Sequence, residues 1–168
     1  MPLRRRSVGP ASEDVALLAR RLLTLDPWSF WTVELGAGEG ASFVVLGTTG
    51  GFVVEACGLS GYLVAEGRQL TVDGRRVEGG RELRGAAKRV RGRLVSAGAA
   101  THEVVPLLVL TRAVAGAPRS HAGVRVVRPE DVVSEITDRT RVLDPSTAER
   151  LARRLGRVLR GPGEAAHD

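Results

Sequence analysis

The sequence predicts an α/β fold, a mixed central β-sheet flanked by helices. Three observations carry that prediction. Residues 44–46 and 52–55 are short apolar runs without the alternation of a half-solvated strand, so both read as strands buried on two faces. Apolar residues recur at helical spacing in two segments: Val15, Leu18, Leu22 and Leu25 in one, Leu83, Ala86, Ala87, Val90 and Leu94 in the other. The order is a helix, a run of antiparallel-looking strands, a helix, two strands and two helices, which is not the strict alternation of a fully parallel sheet.

Taken in order, residues 1–11 hold Arg4, Arg5 and Arg6 before Gly9-Pro10 and read as a basic flexible arm. A helix is expected over 12–25, capped by Ser12, with Glu13 and Asp14 at the positive end of its dipole and Asp26-Pro27 as its stop. Residues 28–35 follow as a strand and 36–40 as a Gly-rich turn. The buried strands 44–46 and 52–55 are joined by Gly47-Thr48-Thr49-Gly50-Gly51. Further strands at 62–66 and Gln69–Val72 lead into Asp73-Gly74, a hairpin turn signal. The second helix spans 80–97. Val104–Leu110 and Val124–Val127 read as buried strands, and Pro129 suits the first position of a helix running to Thr137. Asp144-Pro145-Ser146 opens the last helix, with Leu151, Leu155 and Leu159 as its stripe. One domain is expected over 12–160, with a disordered tail over 161–168.

The bulk numbers narrow the function classes. A chain of 168 residues with 43% apolar and 26% charged residues can bury a core of its own. Its net charge is +6, and of 25 basic residues only Lys88 is a lysine. The arginine bias fits a GC-rich coding sequence and leaves a preference for phosphate partners. A lone cysteine, Cys57, excludes an internal disulfide framework. The longest apolar run, Val104–Leu110, is far short of the roughly 20 residues that span a bilayer, so no membrane role is expected. The basic start is not followed by an apolar stretch of the signal-peptide kind, and a soluble cytoplasmic protein is the expectation.

The segment from Ser42 to Gly61 carries a resemblance. Read as SFVVLGTTGGFVVEACGLSG, it is similar to the signature of the nuclease-related domain (NERD), roughly I-D-H-V-V-V-G-P-x-G-V-F-V-I-[DE]-x-K-x-W-S-G. The likeness extends to Gly67-Arg68-Gln69-Leu70 and Asp73-Gly74-Arg75 as a hairpin, and to a helix near 86–94. It continues through the strand 105–110, the strand ending Val126-Val127-Arg128-Pro129, and the helix opening at Leu143-Asp144-Pro145-Ser146. The resemblance implies a restriction-endonuclease-like fold in a bacterial-type protein. In that family two carboxylates hold Mg²⁺ beside the scissile phosphate while a lysine orients water and stabilises developing charge. It assigns the metal-holding Asp to Ser42, the second acid to Glu55 and the lysine to Cys57. Only Glu55 remains. A serine hydroxyl is a weaker ligand for a hard cation, and a thiol brings no positive charge. The departures point to a degenerate, catalytically inactive homologue. If activity remained, the groups to carry it would be Glu55 with Glu13 as metal ligands and Lys88 as a relocated cation.

Two further readings stand beside this one. Arg68, Arg75, Arg76, Arg81, Arg84, Arg89, Arg91 and Arg93 gather around the second hairpin and the next helix, and shared on one face they would bind DNA without cutting it; Arg75, Arg76, Arg84, Arg89 and Arg91 are the leading candidates. A protein partner is the other possibility for such a surface, and the sequence leaves the oligomeric state open. Val33-Glu34-Leu35-Gly36-Ala37-Gly38-Glu39-Gly40 resembles the first motif of S-adenosylmethionine-dependent methyltransferases. That motif needs a helix after its glycines, and residues 41–49 are too few and too β-branched to hold one. Cys57 lacks the His and orienting acid of a nucleophile, since His102, His121 and His167 are distant in sequence.

Overall fold

A computed structural model describes residues 10–36, 38–99, 103–112, 114–116 and 120–159, with side chains from Glu13 onward. Most of the arm expected over 1–11 and all of the tail over 161–168 lie outside the described residues. The elements are α1 (Pro10–Leu22), β1 (Phe30–Glu34), β2 (Phe43–Gly47), β3 (Gly50–Cys57), β4 (Gly61–Glu66), β5 (Gln69–Val72), β6 (Arg75–Arg76) and α2 (Gly80–Ser96). They continue as β7 (Val104–Leu110), β8 (Val114–Ala115), β9 (Ser120–His121), β10 (Val124–Val127), a 3₁₀ turn at Pro129–Asp131, α3 (Val132–Thr137), α4 (Pro145–Leu155) and β11 (Val158–Leu159).

Among the described residues the main sheet has seven strands in the order β11-β1-β2-β3-β7-β10-β9. β1, β2 and β3 form an antiparallel meander, β7 and β10 run parallel to β3, and β9 and β11 close the edges antiparallel. The sheet is therefore mixed, as the interrupted alternation of elements predicts. α2 and α4 cover one face, burying Leu83, Val90 and Leu151 against Val44, Val53 and Leu108. α1 and α3 cover the other, where Leu18, Leu22, Val132 and Ile136 meet Phe43, Val45, Phe52 and Val54. Coverage on both faces is why β2 is buried at every position and shows no alternation.

A second sheet of order β6-β5-β4-β8 packs its inner residues Leu63, Leu70 and Val72 into the core on the α2 side. Its β5–β6 turn places Asp73 and Gly74 at φ 48° and 74°, the pair of positive values that an Asp-Gly hairpin turn requires.

Several element boundaries depart from expectation: β1 is shorter than the strand expected over 28–35, and β3 extends the strand expected over 52–55 to Gly50–Cys57. The first helix begins at Pro10, whose missing N–H is no loss in a first turn, so Ser12 does not cap it; it ends at Leu22, and Leu25 follows in a turn. Leu159 is not part of the last helix's stripe, because α4 ends at Leu155 and Leu159 pairs with Thr32 as strand β11. The short strands β6, β8, β9 and β11 form through sheet pairing that local periodicity does not encode. Asp144 caps α4 as expected: its carboxylate accepts from the Thr147 N–H at 2.9 Å and from the hydroxyls of Ser146 and Thr147 at 2.6 and 2.7 Å, and these bonds hold it well below the usual carboxylate range.

Candidate functional site

The β2–β3 ladder brings Ser42 and Glu55 together. Ser42 stands one residue before β2, and its N–H donates to the Val54 carbonyl at 3.1 Å, extending the pairing Phe43↔Val54. Its hydroxyl then reaches the half-buried Glu55 and donates to Oε1 at 2.7 Å. The same oxygen accepts the Ala56 N–H at 2.9 Å. Two positions that the family resemblance assigns to metal-holding carboxylates are thus neighbours, and they are tied to each other as donor and acceptor.

Cys57 lies two residues beyond Glu55 on the same strand, which puts both side chains on the α2 face. Its side chain is buried in the core cluster with Leu63 and Leu83, and only 8% of the residue is exposed. Burial pushes the thiol up from its ordinary value; a weaker opposing effect comes from the Leu59 backbone, and the Asp14 carboxylate adds to the rise. The thiol stays protonated at neutral pH, so neither a cation nor a thiolate stands at the lysine position.

The relocated cation does not reach this site. α2 turns Leu83, Ala86, Ala87, Val90 and Leu94 toward the sheet. Lys88 follows Leu83 by five residues, about 140° round the helix, and is exposed on its outer side. Glu13 is exposed on α1. Its neighbour Asp14, which motif reasoning did not select, is the buried acid of that helix. It accepts from the Thr111 hydroxyl at 2.8 Å and from Arg112 Nε at 3.4 Å. A side chain at Gly58 would overlap its Oδ2, so the absent Cβ there makes room for the carboxylate. The signal was present in the sequence: Asp14 precedes Leu18 by four residues and so lies on the apolar stripe of α1. Among the described residues no group of three or more His, Cys, Asp or Glu side chains is placed to hold a metal ion.

The arginines divide between the two flanks of α2. Arg89 and Arg93 lie about 80–120° to one side of Leu83 and are spent on the turn before Ser42. Arg89 Nη2 donates to the Glu39 carbonyl at 2.7 Å, and Arg93 Nη2 donates to both Glu39 carboxylate oxygens at 3.3 Å. Gly40 in that turn has φ 78°, and a Cβ there would stand 2.5 Å from the Glu82 carbonyl oxygen. The turn is therefore pressed against α2 at a point only glycine fits. On the other flank, Arg81 and Arg84 join Arg68, Arg76 and His121 around a concavity of about 700 Å³. Its floor is Leu70, Val77, Leu108 and Val124, and Glu78 and Glu82 also line it. Arg84 Nη1 donates to the Ala122 carbonyl at 3.2 Å, and His121 Nε2 donates to the Gly67 carbonyl at 2.9 Å, so the β9–β10 turn is fastened to both α2 and the β4–β5 turn.

Of the five arginines selected from the sequence, Arg76 and Arg84 come together in this groove. Arg75, next to Arg76 on a strand, points the other way and is exposed. Arg89 serves the Glu39 turn, and Arg91 lines a separate small cavity with Leu94, Val95 and Leu143. Arg68, Arg81 and His121 complete the groove, while His102 and His167 lie outside the described residues. Neither Ser42 nor Glu55 lines the groove; the link between that pair and the groove is the buried Leu108. Glu55 is the register partner of Leu108 across the parallel β3–β7 pair, so the two side chains share a face one strand apart.

The Gly-rich segment after β1 leads directly into strand β2, so the helix that a methyltransferase motif requires does not follow it. Among the described residues no helix is long and apolar enough to cross a membrane. Comparison with protein-family models, curated proteins and solved structures gave no match to this chain.

Proposed function

We propose that this chain is a nuclease-related, restriction-endonuclease-like domain that has lost metal-dependent hydrolysis and binds nucleic acid through its arginines. The observation that carries the proposal is the Ser42–Glu55 hydrogen bond. A Mg²⁺ site for phosphodiester hydrolysis wants two ionised oxygens facing one cation. Here the partner of Glu55 is a neutral hydroxyl, and Oε1 is taken up by that hydroxyl and a backbone N–H. Asp14 is occupied by Thr111 and Arg112. The residues present do not fit the cation, and a buried neutral thiol stands where the lysine would be.

What supports the fold-level reading is the order of elements: a hairpin at Asp73-Gly74, a helix over Gly80–Ser96, strands at Val104–Leu110 and Val124–Val127, and a helix opening after Asp144. Nucleic acid is favoured over a protein partner because the groove at the start of α2 is lined by four guanidinium groups, which suit phosphate oxygens in number and geometry. Such a role belongs in the cytoplasm.

The test is incubation of supercoiled plasmid and single-stranded DNA with Mg²⁺ or Mn²⁺, wild type beside Glu55→Ala. The expected result is no cleavage by either folded protein, with retention of DNA at low salt. Cleavage by the wild type that vanishes in Glu55→Ala would mean that the site has been rebuilt and that the reading of Ser42 and Cys57 is wrong.

A further inference from the structure

We infer that the groove between α2 and the two hairpin turns takes one unstacked nucleotide unit, with its phosphate at the arginine rim and its base on the apolar floor. The inference rests on the nucleic-acid reading above and narrows it to a site and a ligand class.

The first support is charge. Among the described residues, none of Arg68, Arg76, Arg81 and Arg84 forms a salt bridge, although Glu78 and Glu82 line the same space. Arg93, Arg112, Arg125, Arg139 and Arg153 are paired with carboxylates, while other surface arginines such as Arg20, Arg75 and Arg150 also lack such a partner among the described residues; what sets the groove apart is that four of them line one cavity. Four guanidinium groups without a carboxylate partner converge on one cavity, and an anion is the ligand they fit.

The second support is the floor. Leu70, Val77, Leu108 and Val124 line the same cavity, each exposing only 1–9% of its surface there. A site for phosphate alone gains nothing from apolar contact, whereas a nucleobase has a flat apolar face to lay there and an edge that Arg84 or His121 can meet. The third support is shape. The β4–β5 turn and β6, the first turns of α2, and β9 and β10 border a half-open space of about 700 Å³, within the range of a small-ligand site. A duplex is convex and its base faces are stacked, so it meets the rim without reaching the floor. A strand with free bases reaches both.

The same chemistry is offered by a nucleotide within a single strand and by a free mononucleotide. Fluorescence anisotropy of the full chain separates them, using a labelled oligothymidine, an abasic strand with the same number of phosphates, a blunt duplex of equal length, and thymidine monophosphate as competitor. The expected result is that oligothymidine binds at least about tenfold more tightly than the abasic strand and the duplex, and that Arg81→Ala and Arg68→Ala each weaken it severalfold. Competition by the monophosphate at concentrations that saturate the groove assigns it to free nucleotides; its failure to compete assigns the groove to strands. Equal affinity for the abasic strand, or duplex binding as tight as oligothymidine, overturns the inference and leaves nucleic-acid binding standing. Absence of binding to all of them overturns both.

Discussion

The two flanks of α2 carry the same residue type and do different things with it. On one, Arg89 and Arg93 hold the Glu39 turn and fix the approach to Ser42. On the other, Arg81 and Arg84 face an open groove with no carboxylate bound to them among the described residues. Each flank ties one arginine to a loop carbonyl, Arg89 to Glu39 and Arg84 to Ala122; the contrast is set by the Glu39 carboxylate opposite one flank and a concave surface opposite the other. An arginine count along a helix therefore does not measure a binding surface; the partners across from each side chain do.

Gly40→Ala puts a Cβ against the Glu82 carbonyl in a left-handed conformation and should destabilise the fold by about 3 kcal/mol in urea unfolding. A loss below about 1 kcal/mol would mean that the turn is not pressed on α2 as described. Asp14→Ala removes the acceptor of Thr111 and Arg112 and should cost about 2 kcal/mol by the same measurement. The partly exposed Arg93–Glu39 pair is weaker, and Glu39→Ala should cost only about 0.5 kcal/mol, because the Arg89 bond to the Glu39 backbone survives it.

The groove flank should behave in the opposite way. Arg81→Ala should change stability by no more than about 0.5 kcal/mol, and Arg84→Ala by about 1 kcal/mol through loss of its bond to the Ala122 carbonyl, while both lower affinity for single-stranded DNA. The smallest expected effect concerns Cys57. Burial raises its folded value above the ordinary 9.0, so the unfolded chain loses the proton first as pH rises. Its contribution to stability is present below about pH 9 and is lost as the pH climbs through the folded value. Replacing Cys57 by Ala should flatten that alkaline limb, and the wild-type thiol should react slowly with a disulfide reagent at neutral pH until the protein is unfolded.

Much of the fold is legible in the sequence because its elements advertise themselves locally. The doubly buried strands β2 and β3, the Asp-Gly turn and the stripe of α2 are written as runs and periods that survive folding. What the sequence hides is non-local. β9 and β11 exist only because they pair with β10 and β1, and Leu159 belongs to a strand because α4 stops at Leu155. The site divides in the same way. Strand alternation puts Glu55 and Cys57 on one face, and the hairpin brings Ser42 to Glu55. Lys88 is excluded by the α2 stripe that the sequence already shows, whereas His121 reaches the groove from an element with no periodic signal at all. Asp14 is readable from its place on the α1 stripe, whereas its neighbour Glu13, which the family likeness favours, is exposed.

The most direct measurement is the salt dependence of affinity for single-stranded DNA, with wild type beside two double variants, Arg81→Ala/Arg84→Ala and Arg89→Ala/Arg93→Ala. Removing one arginine that neutralises a phosphate should reduce the slope of log K against log salt by about 0.7. The slope should fall by about 1.4 for the groove pair and stay unchanged for the Glu39 pair. Equal reductions, or a reduction confined to Arg89→Ala/Arg93→Ala, would contradict the division of labour between the two flanks and with it the assignment of the nucleic-acid surface.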